Sequence, residues 1–332
     1  MQTRPLLCLL TMWLAPYTVY PAAAAPSSAV VTCANTVTAL PDAAETFTVG
    51  TMRVHRYGDH GRPVILIPGL DSGAWVWADT IKHLRDDHVV YAVTLAGFDG
   101  LPAPRQKTGL LDQADASLLK LIQSRHLDRP VLVGHSIGGT LAIRFAGEHD
   151  KLLGGIVAVD GLPVFPGAQD LTADQRKARA GMLKARMAGM TQDAFQAQQL
   201  AYMQRIGVID QDKAPCYAKR TGRSDPAATG EYAAEDYAAD YRPGLKHVSV
   251  PLLKIKPYNA PDYKSAAART GQPVMTAETM TGFYRKLLAN DPQAEVVTVA
   301  PSRHFVMLDQ PQKFLHVLDD FLSALPKVTH HD

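Results

Sequence analysis

The sequence has little of several features that mark particular classes of protein. Its 332 residues include only three cysteines, and the formal net charge is +2. This balance of charge excludes the basic surface of a nucleic-acid-binding protein and leaves no acidic tail. No spacing of histidine, cysteine and acidic residues is typical of a metal site, and no phosphate loop or redox motif occurs. The sequence therefore predicts no metal and no cofactor.

Long apolar runs are also missing, except near the N-terminus. Arg4 precedes an apolar stretch at residues 6–14, and small residues follow at 22–25. This three-part pattern predicts a secretory signal peptide over residues 1–24, cleaved near Ala24. The apolar stretch is too short to span a bilayer comfortably. We therefore expect export to the periplasm or the medium and no membrane span in the mature chain, with a retained N-terminal anchor as the alternative.

Cleavage there removes Cys8 and leaves two cysteines, Cys33 and Cys216. In an oxidising compartment such a pair can form a disulfide. Two unrelated thiols are the equally weighted alternative.

Apolar residues make up 46% of the chain, enough for a sizeable core. Short apolar runs bounded by Gly and Pro alternate with segments of helical period. This alternation predicts a mostly parallel central sheet flanked by helices. Residues 161–249 interrupt this alternation, because their pattern predicts helices and no strong strand. We expect a core formed by residues 25–160 and 250–332, with residues 161–249 inserted as a helical cap.

One serine stands among glycines in "VLVGHSIGGTLAIRFA", residues 131–146. Ser136 lies between Gly134 and Gly138, after an apolar strand and before a helix. This context is typical of a nucleophile elbow, a tight turn in which bulky neighbours would clash with the serine. The helix that follows directs free N–H groups toward the place where an oxyanion would form.

With these motifs the chain resembles the α/β-hydrolase superfamily, and most closely its capped single-domain serine esterases. "LIPGLDSGAWVW", residues 66–77, is similar to the family's oxyanion turn, which implies that the backbone N–H groups of Leu70 and Ile137 form the oxyanion hole. "SRHFVMLDQPQKF", residues 302–314, resembles the loop that carries the catalytic histidine, which implies that His304 is the base. Arg303 stands where the family commonly has Gly.

The resemblance leaves the acid of the triad open between two aspartates. The family usually places it beyond the "VPLLKI" strand, where this chain has Asn259 and, three residues later, Asp262. The other known location is the end of the preceding strand, which Asp160 occupies. We prefer Asp160 and keep Asp262 as the alternative.

Three residues are candidates for the substrate pocket. Met187 and Met190 lie among several methionines of the insertion, and adaptable Met side chains could line an apolar acyl site. The alternative is that they form the core of the cap. Trp75 follows the oxyanion turn and either lines the site or packs beneath it.

The resemblance implies a serine hydrolase that cleaves a carboxylic ester with a small or medium apolar acyl group. The reaction would pass through an acyl-enzyme without a cofactor, on a small-molecule substrate. An acyltransferase and an amide or carbon–carbon hydrolase are alternatives on the same triad. A non-catalytic binding protein is a remote one. The sequence predicts no particular oligomeric state.

Overall fold

The computed structural model of the chain describes residue 33 and residues 37–326, so the predicted signal peptide lies outside the described residues. Its centre is one eight-stranded sheet in the order β1-β2-β4-β3-β5-β6-β7-β8. The strands are β1 Glu45–Val49, β2 Met52–Tyr57, β3 Arg62–Ile67, β4 His88–Leu95, β5 Val131–His135, β6 Gly155–Val159, β7 Leu252–Pro257 and β8 Glu295–Val299.

Strand direction divides the sheet into two parts. β2 is antiparallel to both β1 and β4, whereas every pairing from β4 through β3 to β8 is parallel. The predicted mostly parallel sheet is therefore confirmed.

Helices cover both faces of this sheet, which is why its central strands are continuous apolar runs. In β3, Ile65 and Ile67 pack into the core on one face, while Val64 and Leu66 pack into the core on the other. The helices are α1 Ala78–Leu84, α2 Leu110–Ser124, α3 Ile137–His149, α4 Ala173–Ala188, α5 Gln192–Tyr202, α6 Ala214–Thr221, α7 Pro226–Ala238, α8 Ala260–Thr270, α9 Ala277–Leu287, α10 Val306–Asp309 and α11 Pro311–Ala324.

Two helical excursions leave the sheet between its last three strands. The first, residues 161–249, contains α4 to α7 and a π-helical turn at Met203–Gly207. The second, residues 258–294, contains α8 and α9. We call these two excursions together the cover. The sequence predicts only the first as an insertion and places the second within the core.

Local capping explains where several helices of the cover begin. Thr172 and Gln175 form the capping box that the sequence predicts at the start of α4. The side chains of Thr191, Asp225 and Thr276 accept backbone N–H groups at the starts of α5, α7 and α9. Each cap satisfies a donor that the helix itself leaves unpaired.

A disulfide joins Cys33 to Cys216 of α6, across 183 residues of sequence. It ties the segment before β1 to the cover. Closing so long a loop stabilises a fold by up to about 5 kcal/mol. None of the helices in the described part of the chain is both long and apolar enough to cross a membrane.

Candidate active site

The side chains singled out by the sequence come together at one edge of the sheet. Ser136 follows β5 and Asp160 follows β6, while His304 lies between β8 and α10. All three positions lie beyond the carboxyl ends of parallel strands, the edge at which open α/β sheets build their ligand sites.

Ser136 has a backbone conformation that only a tight turn imposes. Its φ of 52° and ψ of −123° lie outside the regions that non-glycine residues prefer. Its N–H donates to the carbonyl oxygen of Val159 at 2.8 Å, which binds the elbow to β6. Such strain persists only where the surroundings enforce it, and it is typical of functional sites.

Backbone packing explains the glycines around the serine. A Cβ atom on Gly134 would lie 2.1 Å from the carbonyl oxygen of Gly138, and one on Gly138 would lie 2.5 Å from that of Ile67. Gly139 and Gly161 face each other in the same way, because a Cβ on Gly161 would lie 2.6 Å from the α-carbon of Gly139. The elbow therefore has no room for side chains at these positions.

His304 is paired with Asp160. The His304 Nδ1 atom lies 2.6 Å from Asp160 Oδ2, and the two side chains are 11% and 15% exposed. The backbone N–H of Asp160 donates to the carbonyl oxygen of Ile255 at 2.8 Å, which fixes the carboxylate at the end of β6. Since a carboxylate only accepts, Nδ1 carries the proton and Nε2 of a neutral His304 is left as the basic atom.

Asp262 lies elsewhere and has another partner. Both of its oxygens accept from the Arg303 guanidinium at 2.8 Å, and Oδ2 also accepts from Asn259 at 2.8 Å. Burial alone would raise the pKa of Asp262, but these hydrogen bonds and the charge of Arg303 lower it below its ordinary value. The structure therefore places Asp160, and not Asp262, on the histidine.

Arg303 also holds the histidine loop against the cover. Its Nη1 donates to the carbonyl oxygens of Gln204 and Val208 at 2.8 and 2.9 Å. The backbone N–H of His304 donates to the carbonyl oxygen of Ile206 at 3.1 Å. The π-helical turn thus accepts hydrogen bonds from this loop, and Arg303 bridges it to Asp262.

The oxyanion turn runs directly past the serine. A Cβ atom on Gly69 would lie 3.1 Å from Ser136 Cβ, so the backbone that leads to Leu70 touches the nucleophile side chain. Ile137 is the first residue of α3, where N–H groups have no partner inside the helix. Leu70 and Ile137 both line the same cavity as Ser136.

His135 also lines the cavity, although the sequence predicts no role for it in the site. It is fully buried, and its Nε2 lies 3.0 Å from the backbone carbonyl oxygen of His304, to which it donates. Burial, together with the nearby His304, lowers the pKa of His135 well below 6.5, so its ring stays neutral. A histidine next to the elbow serine was the available signal.

Asp71 lies next to Leu70 in the oxyanion turn and also lines the cavity. Gln199 donates to its Oδ2 at 2.8 Å, the Thr229 hydroxyl donates to its Oδ1, and the Ser224 hydroxyl donates to its backbone carbonyl at 3.0 Å. Burial raises the pKa of Asp71 to about 7, although the hydrogen bonds from Thr229 and Gln199 favour its ionised form. Three residues of the cover therefore converge on this aspartate.

The cavity above these residues has a volume of about 470 Å³. Ser136, Asp160 and His304 lie on its wall, and both excursions of the cover supply its apolar surface. The apolar residues from the cover include Leu162, Val164, Phe165, Leu183, Met187, Met275, Met280 and Phe283.

Only one of the three predicted pocket residues reaches this cavity. Met187 lines it and is 4% exposed. Met190 instead borders a separate surface hollow, because α4 ends at Ala188 and the chain turns away. Trp75 is buried beneath the site and stacks on Tyr217 with ring centroids 5.7 Å apart. The predictions for Met190 and Trp75 are therefore corrected.

One group of potential metal ligands lies outside the cavity. Ligand atoms of Asp115, Glu148 and His149 are within 4.8 Å of one another. Arg144 Nε lies 3.6 Å from Asp115 and 3.8 Å from Glu148. The guanidinium supplies the positive charge at this place, which makes the group an ion-pair cluster.

The chain is similar to several known proteins. The sequence model of the alpha/beta hydrolase family matches residues 64–317. "Probable lysophospholipase BODYGUARD 4" of Arabidopsis thaliana is 29% identical over 132 residues, which are 39% of this chain and 31% of that protein. "1-acylglycerol-3-phosphate O-acyltransferase ABHD5" of Rattus norvegicus is 28% identical over 133 residues, 39% of this chain and 37% of that protein. The match thus spans well under half the length of either relative.

Among solved structures, a thermophilic esterase from Thermogutta terrifontis is similar with a TM-score of 0.66. It is 16% identical, and the match covers 84% of this chain and 98% of that one. At this identity the likeness shows the shared fold.

Proposed function

The chain belongs to the alpha/beta hydrolase family, and on that premise we propose that it is a serine hydrolase that cleaves carboxylic esters through an acyl-enzyme. The observation that carries the proposal is the 2.6 Å hydrogen bond between His304 and Asp160, on the wall of the cavity that Ser136 also lines. Serine, histidine and acid follow one another along the chain in the order typical of this fold.

Acylation begins at the Ser136 hydroxyl. A serine is a poor nucleophile until an imidazole accepts its proton, and His304 Nε2 is the basic atom available. Asp160 keeps the imidazole in this tautomer and stabilises the imidazolium that forms. Among the described residues, the His304 ring forms a hydrogen bond to Asp160 and none to Ser136. The contact with Ser136 therefore forms in the substrate complex, as catalytic contacts often do.

The ester carbonyl oxygen gains negative charge as Ser136 Oγ bonds to the carbonyl carbon. The N–H groups of Leu70 and Ile137 donate to that oxygen, and the N-terminal end of α3 adds a favourable field. The tetrahedral intermediate then collapses. His304 passes its proton to the leaving alcohol oxygen, and the acyl group stays on Ser136.

Deacylation repeats these steps with water. His304 takes a proton from a water molecule, the hydroxide attacks the acyl carbonyl, and the proton returns to Ser136 Oγ as the acid leaves. All the proton transfers use side chains of this protein, so the proposed reaction needs no cofactor.

The cavity supports a small or medium apolar acyl group as substrate. Its volume of about 470 Å³ is in the lower half of the range for ligand sites. Its apolar wall comes from the cover, and closure over the serine excludes water and strengthens the hydrogen bonds to the oxyanion. Residues 161–249 therefore act, in this proposal, as a cap that selects the acyl chain.

The proposed enzyme works outside the reducing cytoplasm. The bond between Cys33 and Cys216 supports this compartment, because disulfides persist where the surroundings are oxidising. Export follows cleavage near Ala24 in the same proposal.

A fluorophosphonate probe tests the function directly, because it reacts only with an activated serine. The wild-type protein should label at one site and hydrolyse p-nitrophenyl esters of short and medium acids. Ser136→Ala should abolish both. Ser302→Ala is the matched control, since Ser302 also lines the cavity but its hydroxyl donates to the Arg303 carbonyl at 2.8 Å. Undiminished labelling of Ser136→Ala would overturn the proposal.

The fate of the acyl group separates hydrolysis from transfer. With an ester and an excess of glycerol, a hydrolase releases mainly the free acid. Mainly acylglycerol as product would identify an acyltransferase that uses the same triad.

A further inference from the structure

Two lysines of β7 are buried without a hydrogen-bond partner. Lys254 and Lys256 have no exposed surface. Neither Nζ atom has a hydrogen-bond partner among the described residues. A buried ammonium group is costly unless a nearby opposite charge offsets it, and fully buried lysines are rare unless paired. A charge partner is therefore expected near each of them.

The partner of Lys254 is the acid of the proposed triad. Lys254 Nζ lies 3.7 Å from Asp160 Oδ1, too far for a hydrogen bond but close enough for an ion pair. The other oxygen of Asp160 accepts from His304 at 2.6 Å. The two carboxylate oxygens are thus divided between a lysine and the histidine.

We infer that Lys254 is a positioning residue of the active site, whose ammonium group offsets part of the Asp160 charge and thereby favours the neutral form of His304 that acts as the base. The inference rests on the proposed function. Lys254 does not line the cavity, so it acts on the reaction through Asp160 and not on the substrate.

Several neighbouring groups influence the charge of Lys254. Burial lowers the pKa of Lys254 to about 8, Asp160 opposes that shift, and Lys256 on the same strand adds to it. From α9 the Tyr284 ring faces the ammonium group, with Nζ 5.1 Å from the ring centroid. On β5, the buried His135 stays neutral, and the Lys254 charge helps to lower its pKa. Lys254 is therefore charged at neutral pH.

An ammonium ion beside the carboxylate weakens the attraction of Asp160 for an imidazolium at His304. Removing the ammonium group strengthens that attraction, which favours the imidazolium over the neutral base. Only unprotonated His304 accepts the Ser136 proton. Loss of the Lys254 charge should therefore move the acid limb of activity upward in pH.

The test is the pH profile of kcat/KM for p-nitrophenyl butyrate in Lys254→Met. Methionine has a similar shape and no charge, so the buried volume is retained. The midpoint of the acid limb should rise by about one pH unit relative to wild type. The rate of fluorophosphonate labelling should show the same rise, independently of ester binding. Lys254→Gln should move both midpoints in the same direction.

Lys256→Met is the matched control. Lys256 is also buried on the same strand, and its Nζ lies 5.6 Å from the Tyr258 ring centroid. Burial lowers the pKa of Lys256, while the charges of Asp160 and Glu278 oppose that shift, but no salt bridge within 4 Å joins Lys256 to Asp160 in the described chain. In Lys256→Met the midpoint of the acid limb should move by no more than about a third of its shift in Lys254→Met.

Three results would overturn the inference. They are an unmoved acid limb in Lys254→Met, equal shifts in both lysine variants, and failure of both Lys254 variants to fold while Lys256→Met folds. Failure of the proposed function would look different, since the wild type itself would then neither label nor hydrolyse esters.

Discussion

The two sides of the cavity are built in different ways. On the sheet side, Ser136 and Asp160 directly follow strands, and backbone hydrogen bonds to neighbouring strands hold both in place. On the cover side, the wall consists of helix side chains such as Met187 and Met280. Backbone hydrogen bonds at the strand ends fix the residues of the sheet side, whereas helix packing decides which residues of the cover reach the cavity.

Polar contacts join the two sides at the oxyanion turn and at the histidine loop, beside the apolar packing of the cover on the core. Asp71 accepts from Gln199 and Thr229 of the cover, and Arg303 donates to the π-helical turn. Substitutions on the sheet side should therefore affect catalysis most. Those at the polar contacts should affect stability, and those on the wall should affect selectivity.

The largest effect is expected for the acid on the sheet side. Asp160→Asn should lower kcat by about 10⁴-fold, because the histidine loses the partner that fixes its tautomer and its charge. Steady-state kinetics on a short-chain ester measures this loss.

Asp262→Asn is the control for that substitution, since Asp262 binds Arg303 and not His304. Its kcat should fall by less than about tenfold, as expected for a residue outside the triad. A larger loss in Asp262→Asn than in Asp160→Asn would exchange the roles assigned to the two aspartates.

An intermediate effect is expected at Asp71, where the cover meets the oxyanion turn. The pKa of Asp71 is raised to about 7 in the fold, whereas an unfolded aspartate titrates near 4. Between these values only the unfolded chain loses its proton, so stability falls as pH rises. The free energy of unfolding of the wild type, minus that of Asp71→Asn, should therefore fall by about 2 kcal/mol from pH 5 to 7.

Urea unfolding at several pH values measures this difference. Asp262→Asn supplies the control, because the pKa of Asp262 is lowered in the fold and its carboxylate is ionised in both states over this range. Its difference from wild type should be flat. A flat difference for Asp71→Asn as well would mean that Asp71 carries its charge in the folded protein at pH 5.

The smallest effect is expected on the wall. Met187→Trp should change the ratio of kcat/KM values for long and short acyl esters by about tenfold, since filling an apolar pocket is worth about 1–3 kcal/mol. Met190→Trp should leave the ratio unchanged, because Met190 lies in a separate hollow. Equal changes in both variants would show that residues other than the cavity lining select the acyl chain.

The same contrast explains what the sequence could predict. The elbow, the oxyanion turn and the histidine loop are short motifs at strand ends, so their resemblance to the family was enough to predict Ser136 and His304, and it left the acid open between Asp160 and Asp262. The fold class followed from the alternation of apolar strands and helices. Both the site motifs and the fold class were therefore predicted from the strands of the sheet and the loops at their ends.

The cover could not be predicted in the same way. Met190 is three residues from Met187, but the end of α4 lies between them and turns Met190 away. The second excursion carries Met275 and Met280 to the cavity, although no motif marks it. The partners of Asp71 could not be predicted, because Gln199 and Thr229 are 128 and 158 residues away in sequence.

The facing glycines of the elbow have a consequence for the evolution of the chain. A methyl group on Gly139 would lie 3.0 Å from the α-carbon of Gly161, and one on Gly161 would lie 2.6 Å from the α-carbon of Gly139. Neither partner has a side chain that a second mutation could shorten, so a substitution of the facing glycine cannot relieve the clash. Lineages of this protein can exchange wall residues one at a time and acquire new selectivities. The elbow offers no such single steps, and it should persist unchanged through each of those changes.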